Sequence, residues 1–196
     1  MVESNTNVEM SFMSDDDESV GIADEGENSD AASATSSIFV DTNILAYAYD
    51  RSEKRKHGIC QKLVRDAFEG ESTTNLCLSN QILGELFVVL TGKVARPLTK
   101  EHASTIVRGY IDSPKWKKVN YDHSTVRRVL DDKATIRNTP FWDLLIAETM
   151  KDAGVDTLYT ENTKDFQRVP WVKAINPVGY SKKPPTARNN SRSSLA

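Results

Sequence analysis

The chain has 196 residues and a mass of 21.9 kDa, with 38% hydrophobic and 27% charged residues, which suits one domain of ordinary size plus some tail and excludes a multidomain machine. No run approaches the ~18 uninterrupted apolar residues of a membrane helix, and the N-terminus has neither the basic start nor the apolar stretch of a secretory signal, so a soluble cytoplasmic protein without a membrane partner is expected. The net charge of −3 conceals three regions: ten acids and no Lys or Arg up to Ser37, four bases and no acid from Val178 onward, and a middle carrying a surplus of three bases.

Residues 1–36 are rich in Ser, Asp, Glu, Asn and Ala and hold few apolar anchors, too few to offset the entropy of ordering a chain; a disordered acidic tail is expected there. Ser37-Ile38-Phe39-Val40 reads as a buried parallel strand ending at Asp41. A helix is expected from about Asn43, then a second with Ile59, Leu63 and Ala67 on its inner face. Leu76 to Leu78 forms the next strand, and Ser79 or Asn80 caps a helix carrying Ile82, Leu83, Leu86, Phe87 and Leu90. Thr99 or Lys100 opens a helix to about Asp112, Trp116 to Asn120 is a strand, and His123 to Asp132 is a helix with Val126, Val129 and Leu130 inward. Thr139-Pro140 starts a helix running to about Ala153 and stopped by Gly154. Strands follow at Asp156–Thr160 and Trp171–Ile175, and the chain after Pro177 reads as a basic flexible tail over 178–196. Strands alternating with helices define an α/β fold with a central parallel sheet covered on both faces, over residues 37–177.

Ligand sites in open parallel sheets lie at the carboxyl ends of the strands. Asp41 stands there, and Asp165 lies in the turn that follows the Asp156–Thr160 strand. Glu85 interrupts an apolar helical face, and Asp143 does the same within Phe141-Trp142-Asp143-Leu144-Leu145-Ile146-Ala147, where an unpaired acid is costly to bury. Four carboxylates converging on one cleft would repel one another unless a divalent cation lay among them. Oxygen-only ligands favour Mg²⁺ or Mn²⁺ over zinc, and such ions support in-line displacement at phosphorus, which is nuclease chemistry.

Other residues are weighed against this set. Glu148, five residues past Asp143, is expected on a different, solvated face, and Glu161 points away from its neighbours. His57, His102 and His123 have no ligand spacing and are expected at the surface. Arg51, Lys54, Arg55 and Lys56 either contact phosphates of a polyanionic substrate or solvate a helix. Trp142 and Trp171 are expected in the core. Cys60 and Cys77 are too few and too far apart for a disulfide framework or a zinc site, and are expected to be buried thiols.

The order Ile38-Phe39-Val40-Asp41-Thr42-Asn43, a mid-chain Glu85, Phe141 to Ala147, and Leu158-Tyr159-Thr160-Glu161-Asn162-Thr163-Lys164-Asp165-Phe166 resembles the PIN domains, particularly the VapC-type toxin ribonucleases. The resemblance implies a three-layer α/β/α fold with Asp41, Glu85, Asp143 and Asp165 forming a Mg²⁺ pocket. Thr42 and Asn43 would shape the first loop, Thr160 would hydrogen-bond within the pocket, and Asn162 stands where many relatives carry another Asp. The implied activity is endoribonucleolytic, with metal-activated water leaving 3'-hydroxyl and 5'-phosphate ends. The implied partners are RNA, an antitoxin protein and a second copy of the chain. The rival reading is a non-catalytic PIN-like RNA-binding or scaffold protein, for which Asn162 is the hint. An aspartyl-phosphate phosphatase would need an acid at Asn43.

Overall fold

A computed structural model describes residues 37–132 and 139–179. The tails expected over 1–36 and 178–196 fall outside these residues, apart from Val178 and Gly179. Val178 is buried, and its carbonyl accepts both guanidinium N–H groups of Arg55 at 2.7 and 2.8 Å, so the packed chain continues one residue past the expected boundary.

The elements in order are β1 (Ser37–Val40), α1 (Thr42–Tyr47), α2 (Lys54–Glu69), β2 (Asn75–Ser79), α3 (Asn80–Gly92), α4 (Lys100–Asp112), β3 (Trp116–Val119), α5 (His123–Asp132), α6 (Phe141–Asp152), β4 (Thr157–Tyr159), a 3-10 turn (Thr163–Phe166) and β5 (Lys173–Ile175). Local chemistry sets several boundaries. The Ser79 hydroxyl accepts the Ile82 N–H at 3.3 Å and Thr99 accepts that of His102 at 3.3 Å, each satisfying a donor the first helical turn leaves free. Gly70, at φ +78°, turns the chain out of α2 through a conformation that penalises any Cβ. Among the described residues no helix is long and apolar enough to cross a membrane.

All five strands are parallel, in the order β3-β2-β1-β4-β5. Right-handed crossovers then dictate the layers. The chain moves from β1 to β2 to β3 in one direction, which assigns α1 to α4 to one face, and returns from β3 to β4, which assigns α5 and α6 to the other. The packing agrees, since α1 meets α2 and α3, α3 meets α4, and α5 meets α6. Phe39, Leu78 and Leu158 of the three central strands are sealed from solvent, and both cysteines are free and buried.

Three inward-facing assignments are corrected. In α2 Ala67 is buried and Leu63 packs partly buried against the core as expected, but Cys60 and Val64 complete the sealed face and Ile59 is exposed. Leu130, expected inward, is 61% exposed, because the sealed stripe of α5 is made by Thr125 and Val129, one helical turn apart, and Leu130 lies off it. Trp142, expected in the core, is 57% exposed, with only an edge contact to Phe141 at 5.3 Å between centroids.

Candidate metal centre

The strand order reverses direction at β1, with β2 on one side and β4 on the other. The connections leaving these two strands therefore part to opposite faces and open a crevice at their carboxyl ends. Asp41 follows β1 directly and Thr160 follows β4, so both enter the crevice by topology alone.

Asp41 is buried and held by three donors. Its Oδ1 accepts the Thr42 N–H at 2.6 Å, and its Oδ2 accepts Asn43 Nδ2 at 2.6 Å and Thr160 Oγ1 at 2.6 Å. The Thr160 hydroxyl also receives Asn43 Nδ2 at 3.2 Å and the Asn162 N–H at 3.0 Å. Since those two neighbours can only donate, the hydroxyl proton must point to Asp41. Asn162 thus enters the network through its peptide, while its side chain is exposed.

Glu85 comes from α3. Its Oε2 accepts the Thr42 hydroxyl at 2.9 Å and its Oε1 accepts Gln81 Nε2 at 2.8 Å. Gln81 also donates to the Trp142 carbonyl at 3.3 Å, joining α3 to the first turn of α6, where Asp143 stands. The sequence reading missed Gln81; the available signal was a buried-face glutamine one helical turn before the acid. Asp165 is placed by the 3-10 turn, anchored by buried Phe166, and its carbonyl accepts the Thr139 hydroxyl at 3.1 Å.

The four acids sense one another. Burial pushes the half-buried Asp143 carboxyl up to about 6 from its ordinary 3.8, and the charges of Asp41, Asp165 and Glu85 add to the rise. Burial also raises Asp41, against the hydrogen bonds from Thr160 and Thr42; the Glu85 charge raises it further and Asn43 opposes. Among the described residues no Lys, Arg or His forms an ion pair with any of the four. No hydrogen-bond donor from those residues meets Asp143 either. An all-oxygen set with uncompensated negative charge fits a hard divalent cation.

A tighter acid group stands elsewhere. Carboxylate oxygens of Asp66, Glu69 and Glu71 lie within 4.8 Å of one another around the end of α2. Two of the three are paired, Asp66 with Lys62 at 2.5 Å and with Arg65, and Glu69 with Arg65, whereas none of the four crevice acids has an ion pair among the described residues.

The remaining candidates fall outside the crevice set. Glu148 is not solvated but fully buried, with Arg128 Nε at 2.9 Å and Lys151 Nζ at 3.4 Å. The correction has a simple cause: α6 is buried without interruption from Leu144 to Met150, so it has no solvated face there. The Glu161 carboxylate is taken by Lys56 at 2.7 Å and by the Tyr47 hydroxyl. His57 rests on the Tyr47 carbonyl at 3.0 Å, and His102 and His123 are exposed. Trp171 is partly buried, its indole N–H donating to the Ala147 carbonyl at 3.1 Å. Beyond the far end of α1 a groove of about 990 Å³ is lined by Arg51, Lys54, His57, Arg65, Arg96 and His102 over an apolar floor that includes Leu98 and Ile106.

Compared with known families, residues 38–172 match the PIN domain. The chain belongs to the PIN domain family. Solved structures with a similar fold include VapC20 of Mycobacterium tuberculosis, described as a Sarcin-Ricin loop cleaving toxin, at 18% identity and a TM-score of 0.52, covering 65% of this chain and 92% of that one. DNA-bound VapBC from Salmonella typhimurium is 19% identical with a TM-score of 0.51, covering 72% of this PIN protein and 98% of the other chain. VapBC2 from Rickettsia felis, bound to a promoter DNA fragment, is 19% identical with a TM-score of 0.50, covering 71% and 98%. At these identities the likeness is one of fold. No curated protein matches the chain.

Proposed function

We propose that this PIN domain is a Mg²⁺-dependent endoribonuclease, with Mn²⁺ able to substitute, and that it is the toxin of a toxin-antitoxin pair. The observation that carries the reading is the hydrogen-bonded placement of Asp41 and Glu85 through Thr42 and Gln81, next to the helix turn that bears Asp143 and the 3-10 turn that bears Asp165, with no cation from the described residues paired to any of the four acids. Asp41, Glu85, Asp143 and Asp165 are the proposed ligands. When bound, a divalent cation supplies activation of water and stabilisation of charge on the phosphoryl group.

This chain's own residues do the rest. Thr160, Asn43 and the Thr42 peptide fix the Asp41 carboxylate, and Thr42 and Gln81 fix that of Glu85, so neither must reorganise during reaction. The cationic groove past α1 offers phosphate contacts for a polyanionic substrate. On this reading the partners are RNA, an antitoxin and a second copy of the chain; the fold shared with a described Sarcin-Ricin loop cleaving toxin and with VapBC proteins supports it.

The test is cleavage of RNA by the full chain with Mg²⁺, with and without EDTA, beside Asp41→Asn. The expected result is cleavage abolished by chelation and by the substitution, with a cooperative thermal unfolding transition retained although the new amide sets an N–H against one of the Asp41 donors. Cleavage that survives either treatment would overturn the metal mechanism, and an inert wild-type protein that still binds RNA would replace it with the non-catalytic role.

A further inference from the structure

Glu161 sits among the crevice residues, yet its carboxylate faces away from them into a separate set of contacts. Lys56 Nζ, in the first turn of α2, lies 2.7 Å from Glu161 Oε1 and 3.0 Å from the Tyr47 hydroxyl, which itself donates to Glu161 Oε2. The same ammonium stands 4.4 Å from the centroid of the Tyr47 ring. Three segments meet here: the end of α1, the start of α2 and the chain leaving β4.

What this holds in place is the Glu161 peptide. Its N–H donates to Asn43 Oδ1 at 3.1 Å. Only the oxygen of a carboxamide can accept, so this bond and the acceptor-only Asp41 carboxylate together fix which way round the Asn43 amide lies. With Oδ1 turned to Glu161, Nδ2 is turned to Asp41 Oδ2 and to Thr160. A flipped amide would press its oxygen against a carboxylate.

We propose that Lys56, Tyr47 and Glu161 form a clamp that orients Asn43 and, through it, positions the Asp41 carboxylate for divalent-cation binding; the cation part rests on the metal-nuclease reading above. These are positioning residues, touching neither cation nor substrate. The clamp also explains why Lys56, although part of a basic run, is not offered to phosphate: its ammonium is already committed.

The test uses the full chain. Mn²⁺ affinity is measured by calorimetry without RNA, and kcat and KM for RNA cleavage separately, in wild type, Lys56→Met, Lys56→Arg, Tyr47→Phe, Glu161→Gln and the Lys56→Met/Glu161→Gln double variant. Loss of an outer contact of this kind weakens metal binding about 10-fold or more. Lys56→Met is therefore expected to lose that much Mn²⁺ affinity and to lower kcat with KM unchanged. Lys56→Arg is expected to restore most of the loss, and the double variant to be no worse than either single. Unchanged Mn²⁺ affinity in Lys56→Met, with weaker RNA binding in EDTA and a salt slope shallower by about one, would overturn the clamp and make Lys56 a phosphate contact. Additive losses in the double variant would overturn it too. The two readings fail separately. If wild type binds no Mn²⁺, the metal reading falls, whereas the clamp is judged by NMR exchange of the Asn43 side-chain amide, protected in wild type and exposed in Lys56→Met; equal protection in both overturns it.

Discussion

The Thr42 hydroxyl donates to Glu85 Oε2 at 2.9 Å, tying the residue after Asp41 to a helix that lies on the far side of an entire βαβ crossover. Thr42 thereby couples two acids that repel each other: its peptide N–H serves Asp41 and its side chain serves Glu85. Thr42→Val keeps the shape and deletes the second bond. It is expected to cost about 0.5–1.5 kcal/mol in urea unfolding, while RNA cleavage drops at least tenfold because Glu85 loses one of its two fixed contacts.

Asp143→Asn should stabilise the metal-free protein while removing activity. An ordinary Asp titrates near 3.8, and this one at about 6 in the folded state, so between those values the folded form holds the extra proton. Stability from this group is therefore present below about pH 4 and lost as pH rises through 6. Discounted for partial exposure, the gain on substitution at pH 7.5 is about 1–2 kcal/mol, read as a higher thermal midpoint in EDTA. Saturating Mg²⁺ should erase the difference by stabilising wild type alone. Equal midpoints in EDTA would contradict the electrostatic account of the site.

Arg128→Ala should be one of the costlier surface substitutions in the protein. It strips Glu148, which is completely buried, of its closest cation and leaves Lys151 at 3.4 Å. Losing a hydrogen bond to a buried charge that keeps a second cation costs about 1.5–3 kcal/mol, whereas Lys62→Ala, which breaks only an exposed pair with Asp66, should cost under about 1 kcal/mol. Denaturant midpoints of the two variants decide the point.

Arg51→Glu and Arg96→Glu, both lining the cationic groove, should weaken RNA binding in EDTA and flatten its dependence on salt by about one to two in the log–log slope. Mn²⁺ affinity should be unchanged, since neither residue belongs to the carboxylate network. RNA affinity equal to wild type at low salt would remove the groove from the substrate path.

The sequence announced those parts of the molecule whose signals are local. An apolar run ending in an acid marks β1 and Asp41 because a strand buried on both faces needs no partner to be recognised, and Ser79 and Thr99 declare their helix starts because a cap bonds within its own turn. What escaped depends on distant neighbours. Glu148 could not be placed without knowing that Arg128, twenty residues earlier, would cross from α5 to meet it. Trp142 reads as core by composition, but it precedes the stretch of α6 that is enclosed all round. Gln81 and Lys56 look like ordinary helix polars until the fold brings Glu85, Trp142 and Glu161 to them.

The central position of β1 has a consequence for how the protein is born. The earliest strand among the described residues, β1, is flanked by β2 on one side and by β4, more than a hundred residues later, on the other. Its register is therefore only half specified through most of synthesis, and the crevice at its end lacks Asp143, Thr160 and Asp165 until nearly the whole domain exists. A truncated or stalled chain carries Asp41 and Glu85 without Asp143, Thr160 and Asp165, so the proposed metal site is incomplete until β4 and the 3-10 turn after it have taken their places.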